Sequence, residues 1–176
     1  MSHPPLPILD PANVPWQASA SYELIGVSAT EETASATLLA YFGPHVAAAE
    51  TAALEAAGEA DDAKYNEAGY GKVVIEFGAL GGLRLSPQLS EAGLLDPGRF
   101  DLSRLPGQRE ARQGGTWSAG GWCPDPRLYR VENSDWLPSL TGASSELRHW
   151  LLLGHSAMLE VAAERMTWRK VDRALP

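Results

Sequence analysis

Cysteine is all but absent from this 176-residue chain. Cys123 stands alone, so no disulfide can form within the chain, and any fold has to rest on a packed core. A chain of this size can supply one, since a domain of about 150 residues buries roughly 68–70% of its unfolded surface. Long apolar runs are missing too. None approaches the roughly 18 residues a membrane helix needs, so no such span is expected. The start, Met1-Ser2-His3-Pro4-Pro5-Leu6-Pro7, lacks a basic stretch followed by an apolar one, and no secretory signal is expected there. Reactive signatures are equally scarce. There is no Walker A loop, no G-x-G-x-x-G, no H-E-x-x-H, and no serine in a G-x-S-x-G elbow. Neither cofactor nor metal is expected.

Positive charge is the next shortage. Fourteen basic residues against twenty-two acidic ones leave a net charge of −8. The surplus is confined to one stretch. Between Glu23 and Glu76 ten acids face two lysines, while the rest of the chain balances at twelve acids and twelve bases. A one-sided field of this kind disfavours nucleic acid, whose phosphates call for a basic footprint, and fits a basic protein partner. Glu50, Glu55, Glu59, Asp61 and Asp62 are the candidate docking acids. The simpler alternative is a solvated acidic face that keeps the protein in solution. One thiol, four scattered histidines and eleven arginines against three lysines suit a soluble, cytoplasmic, bacterial protein.

The pattern along the chain predicts an α+β fold, mainly antiparallel sheet with one or two short helices. Five prolines make residues 1–20 an extended leader packed on a single β-rich domain over 21–176. Alternation of apolar and polar residues predicts strands over 22–28, 34–42, 72–85 and 128–131. Gly81-Gly82 inside the third of these predicts a bulge or tight bend. Residues 45–60 are alanine-rich with three- and four-residue apolar steps, the pattern of a marginal helix, and a helical turn is expected near 100–105. Residues 145–171 suit either one helix or a hairpin of 147–153 with 158–163, and periodicity alone does not decide between them.

Within that segment, residues 149–162 (HWLLLGHSAMLEVA) resemble a C-terminal hairpin found in small, mostly uncharacterised bacterial proteins of immunity or interaction type. The resemblance favours the hairpin. It also implies a role in binding, such as neutralising a toxin, although Ser156 stands where an acidic residue is expected.

His149, His155 and Glu160 form the best polar cluster, and a hairpin would bring them within reach of one another for acid/base chemistry. Cys123 is a further candidate nucleophile, but Trp122 and Pro124 place it in a loop with no helix N-terminus to activate it. Each has a plainer reading, as a turn residue, a hydrogen-bonded strand residue or a packed thiol. Trp117, Trp122, Trp136 and Trp150 fall within 34 residues. Trp122 and Trp136 are candidate partner contacts, since large rings dominate interface energy as well as cores. Asn133-Ser134-Asp135-Trp136-Leu137 reads as an Asx-type turn that docks Trp136. Three functions follow: a small binding protein with a basic partner, a small hydrolase or acid/base enzyme, or a small-ligand carrier lined by tryptophans.

Overall fold

A computed structural model describes residues 5–18, 24–42, 55–56, 58, 69–87, 99–101, 103–104, 128–142, 144–153 and 157–171. Eight strands occur in chain order: β1 (Ile8–Pro11), β2 (Gln17–Ala18), β3 (Leu24–Ala29), β4 (Thr33–Tyr41), β5 (Tyr70–Pro87), β6 (Leu128–Glu132), β7 (Arg148–Leu153) and β8 (Ala157–Val171). They form one antiparallel sheet in the order β1-β6-β7-β8-β5-β4-β2, with β3 also paired to β4. No helix among the described residues is long and apolar enough to cross a membrane.

The mainly antiparallel sheet is as expected, and the expected short helices are not confirmed among the described residues. Apart from a 3-10 turn at Leu137–Ser139, only Glu55 and Ala56 are helical among the described residues. Most of 45–60 lies outside them. Near residue 100 the chain makes a one-residue parallel bridge between Asp101 and Ile8 instead of a described helical turn. Residues 145–171 resolve as the hairpin β7–β8, because Leu151 and Leu153 are buried on one face of the sheet and Leu152 and Leu159 on the other, which one helix stripe cannot provide. β8 runs to Val171, eight residues past the expected end, since Met166 and Trp168 pack inward opposite Phe77 and Ile75.

The proline-rich leader supplies a strand at each end of this order. Pro11 and Gln17 are joined by six residue steps, at most about 21 Å of chain. Seven strand rows laid flat would span about 29 Å. The sheet therefore curls until its two ends approach. Trp16, in the connection, lies 2% exposed inside the curl and meets Trp168 edge-on at 6.1 Å. The concave core is built by alternation: Ala34, Ala36, Leu38 and Ala40 from β4, Val73, Ile75 and Phe77 from β5, with Leu128, Leu152, Leu159 and Val161.

The curl is helped where β5 breaks register. Pairing with β8 shifts between Leu80 and Gly82, and Ala79 just before it has φ of 53°. This is the bulge expected at the paired glycines. A Cβ on Gly81 would come within 2.6 Å of Leu147, and one on Gly82 within 3.0 Å of Trp136. Both glycines let covering side chains lie directly on the backbone.

A second cluster covers the convex face of the β1–β6–β7 end: Leu9, Tyr129, Val131, Leu151 and Leu153, capped by Phe100. Here the sheet is buried on both sides.

Candidate functional site

His149 and Glu160 lie on this doubly buried part. His149 faces Ala162 across the β7–β8 ladder and Leu151 faces Glu160, so the two polar residues are diagonal neighbours on the convex face. Each is 1% exposed. His149 Nε2 lies 3.2 Å from Glu160 Oε1, close but off the axis of a good hydrogen bond. Arg99, brought over the sheet by the segment that buries Phe100, donates from Nη2 to the same oxygen at 2.5 Å. On the other side of the ring, Ser134 Oγ lies 2.9 Å from His149 Nδ1.

Ser134 also organises its own turn. The backbone N–H groups of Trp136 and Leu137 both donate to Oγ at 3.2 Å. With those two bonds accepted, the hydroxyl proton is directed at Nδ1, which leaves the ring proton on Nε2, facing Glu160. The turn folds Trp136 down so that its ring meets His149 edge-on, with centroids 5.0 Å apart. Arg84, paired to Glu160 across β5–β8, lays its guanidinium over Trp136 at 4.3 Å.

Burial alone would push the Glu160 carboxyl up. Contacts from His149 and Arg99, together with the arginine's charge, outweigh it and bring the group from the ordinary 4.5 to about 2. A general base for neutral pH needs an affinity for protons near the working pH, and Glu160 is far from that. The connectivity Ser134–His149–Glu160 has the order of a nucleophile triad. Yet the serine oxygen already accepts two main-chain bonds, and neither described cleft is lined by any of the three residues. Chemically this cluster is a largely buried ion-pair relay that fixes two covering segments to the sheet.

The open concavities lie elsewhere, around the β3–β4 turn. One cleft of about 590 Å³ is lined by hydroxyls of Ser28, Thr30, Ser35 and Thr167, with Glu76 and Arg165. A second of about 580 Å³ carries Glu31, Glu32 and Glu164, with Thr141 and Ser144 across from them. The two adjoin at Thr33, Gly78 and Arg165.

Of the residues expected to carry function, His149 and Glu160 come together as described. His155, Cys123, Glu50, Glu59, Asp61, Asp62 and Trp122 lie outside the described residues. Glu55 is exposed beside Ala56. Trp136 requires a correction: at 4% exposure it is a core residue and not a partner contact, because the Ser134 turn presses it onto Gly82. Sequence reasoning passed over Arg99, Ser134, Glu31, Glu32, Glu164 and Arg165 as site residues. Alternation along 165–169 marks Arg165 as outward-facing, whereas nothing local signals that Arg99 reaches a glutamate 61 residues away. Among the described residues no group of three or more His, Cys, Asp or Glu side chains is arranged to hold a metal. No family model matches the chain, and neither the curated proteins nor the solved structures searched contain a match to it.

Proposed function

We propose that this is a non-catalytic binding protein that docks a basic protein through an acidic surface. The observation that carries this reading is the cleft bordered by Glu31, Glu32 and Glu164, where Arg165 is the only cation among the described residues. None of these three acids has an ion-pair partner among the described residues, and Glu31 and Glu32 are exposed. Elsewhere five described acids are matched by arginines: Glu132 by Arg104 and Arg130, Asp10 by Arg130, Glu76 by Arg169, Glu146 by Arg148 and Glu160 by Arg99. The remaining unmatched acids, Glu55, Asp101 and Asp135, line neither described cleft. Unmatched charge beside a cavity steers an oppositely charged partner and fixes its register. The likeness of 149–162 to immunity-type hairpins adds a role for such docking, the neutralisation of a basic toxin by a bacterial, cytoplasmic antidote.

The test compares two charge reversals of equal size. An arginine-rich peptide is titrated against the wild type, against Glu31→Lys/Glu32→Lys, and against Asp135→Lys/Glu146→Lys on other exposed turns, at low and at high salt. The first variant is expected to lose about tenfold in affinity at low salt, equivalent to about 1.4 kcal/mol, and the second much less. Equal losses would reduce the effect to net charge and reject the site.

A carrier for a small molecule is the second reading, and one observation favours it. The indole N–H groups of Trp16 and Trp150 are buried on the concave side with no acceptor among the described residues. An acceptor-bearing ligand among them would quench tryptophan fluorescence saturably, and a metabolite panel without effect would remove this reading.

A further inference from the structure

The two edges of the sheet are treated differently. Edge strands expose a row of unpaired N–H and C=O groups, and proteins ordinarily guard them with charge, proline or a covering segment. β1 has all three. Its four residues include Asp10 and Pro11. Its outer side is occupied by the main chain at Asp101, through Leu9 N–H donating to the Asp101 carbonyl at 3.2 Å and Asp101 N–H donating to Pro7 at 2.7 Å. Among the described residues β3 has none of them. Its sequence, Leu-Ile-Gly-Val-Ser-Ala, contains neither charge nor proline. It pairs only with β4, and from Gly26 to Ala29 no backbone bond to any other segment occurs among the described residues. Gly26, Ser28 and Ala29 are exposed, and a Cβ on Gly26 would meet nothing within 4 Å.

What flanks this edge states what it would receive. At its end the turn carries Glu31 and Glu32, both exposed. Beside it lies the hydroxyl-lined cleft, which Ser28, Ala29 and Thr30 help to form. A strand added to β3 would place alternate side chains over that cleft, and its end beside the two glutamates. We propose that the β3 edge accepts an extended, basic segment of the partner as an added strand, about six residues long, with arginine or lysine side chains reaching Glu31 and Glu32. This rests on the basic-partner reading above and specifies its mode. A second copy of the chain is the other natural occupant of a bare edge. It is disfavoured by charge, since each copy brings a net −8.

The test uses peptides, so folding of the protein is never in question. The parent is a short peptide of alternating arginine and valine. Two counterparts of the same charge are N-methylated on one alternate set of amides or on the other. In an antiparallel ladder every second residue turns both its N–H and its C=O toward one neighbour. Only one counterpart should therefore lose affinity, by at least about tenfold, while the other binds like the parent. Hydrogen exchange in the complex should slow at those amides of Gly26–Ala29 that face away from β4. If both counterparts bind like the parent and Glu31→Lys/Glu32→Lys weakens all three, docking is by side chains alone: the edge proposal fails and the basic-partner reading survives. Loss of both counterparts, with the parent still bound, also overturns strand addition. If the parent itself does not bind, both readings fall. A dimer by sedimentation that the parent peptide dissociates would show that the edge belongs to a second copy, and would overturn the proposed occupant.

Discussion

The two ends of the sheet use charge in opposite ways. At the β1–β6–β7 end both faces are covered, the edge is capped by Asp101, and polar groups face one another: Ser134 bonds His149, Arg99 bonds Glu160, and His149 Nε2 lies beside the same carboxylate. At the β3–β4 end, among the described residues, the edge is bare, two clefts open beside it, and Glu31, Glu32 and Glu164 are unmatched. The difference separates two meanings of a polar cluster. A buried group whose charges face one another holds the fold. An exposed, unmatched one beside a cavity is available to a partner. Substitutions at the first end should therefore change stability, and those at the second should change binding.

The largest effect is expected at Glu160. Glu160→Gln keeps the shape but removes the charge that balances Arg99 in a site 1% exposed. Breaking a buried pair costs about 3–5 kcal/mol, and the low end applies because Arg99, 34% exposed, can turn toward water. Urea denaturation at neutral pH should show a loss of about 3 kcal/mol, and a loss below 1 kcal/mol would mean the relay holds nothing together. The same interaction predicts a pH dependence. The carboxyl titrates at about 2 when folded and near 4.5 when unfolded, so between those values the unfolded chain binds more protons. Stability from this group is fully present above about pH 4.5 and is lost as pH falls through 2, over a range of about 3 kcal/mol. The gap between wild type and Glu160→Gln should accordingly close across that window, and a constant gap would assign the loss to packing.

Next in size are the glycines beneath the covering segments. Gly81→Ala forces a Cβ to within 2.6 Å of the buried Leu147. Overpacking of this kind costs about 1–3 kcal/mol. Gly26→Ala, on the bare edge, meets nothing within 4 Å and should leave the melting temperature nearly unchanged. If the two substitutions cost the same, the contrast between a covered and an uncovered backbone is lost. Ser134→Ala comes after them. It removes the acceptor for the Trp136 and Leu137 N–H groups and the contact to His149, a capping loss of about 1 kcal/mol.

Strands β3 to β6 were legible in the sequence because apolar and polar residues alternate along them: Ala34 to Ala40 and Val73 to Phe77 read directly as concave-side residues. β1 and β2 were not, since the prolines of residues 1–20 read as an extended leader. Gly81-Gly82 announced the bulge, since paired glycines have little use in a strand other than close approach. The curl was not legible. It follows from β1 and β2 standing at opposite ends of the order while only a short connection joins them, a constraint that appears once pairing is known. The helix-or-strand ambiguity of 145–171 came from leucines that face both ways, which is what a strand covered on two sides requires. His149 and Glu160 could be picked as a pair because a hairpin sets them on one face. Their burial could not be read, because Arg99 and Phe100 arrive from a distant segment and leave no local pattern. Trp136 was misjudged for the same reason: a turn signal shows that a ring is docked, not that Gly82 lies beneath it.

The smallest effect is expected at Glu31 and Glu32, and it is the one that tests the contrast most directly. Both are exposed and have no ion-pair partner among the described residues, so reversing their charge removes no buried contact. Surface changes of this type usually stay within about 0.5 kcal/mol. Drawing two like charges away from Glu164 across the cleft can even stabilise slightly, since it relieves repulsion on an acidic protein. Glu31→Lys/Glu32→Lys should thus unfold at the wild-type denaturant concentration with the same slope, while its affinity for a basic ligand falls. A clear loss of stability would place these glutamates among the groups that hold the β3–β4 turn, and the distinction between an end that folds the protein and an end that binds would no longer stand.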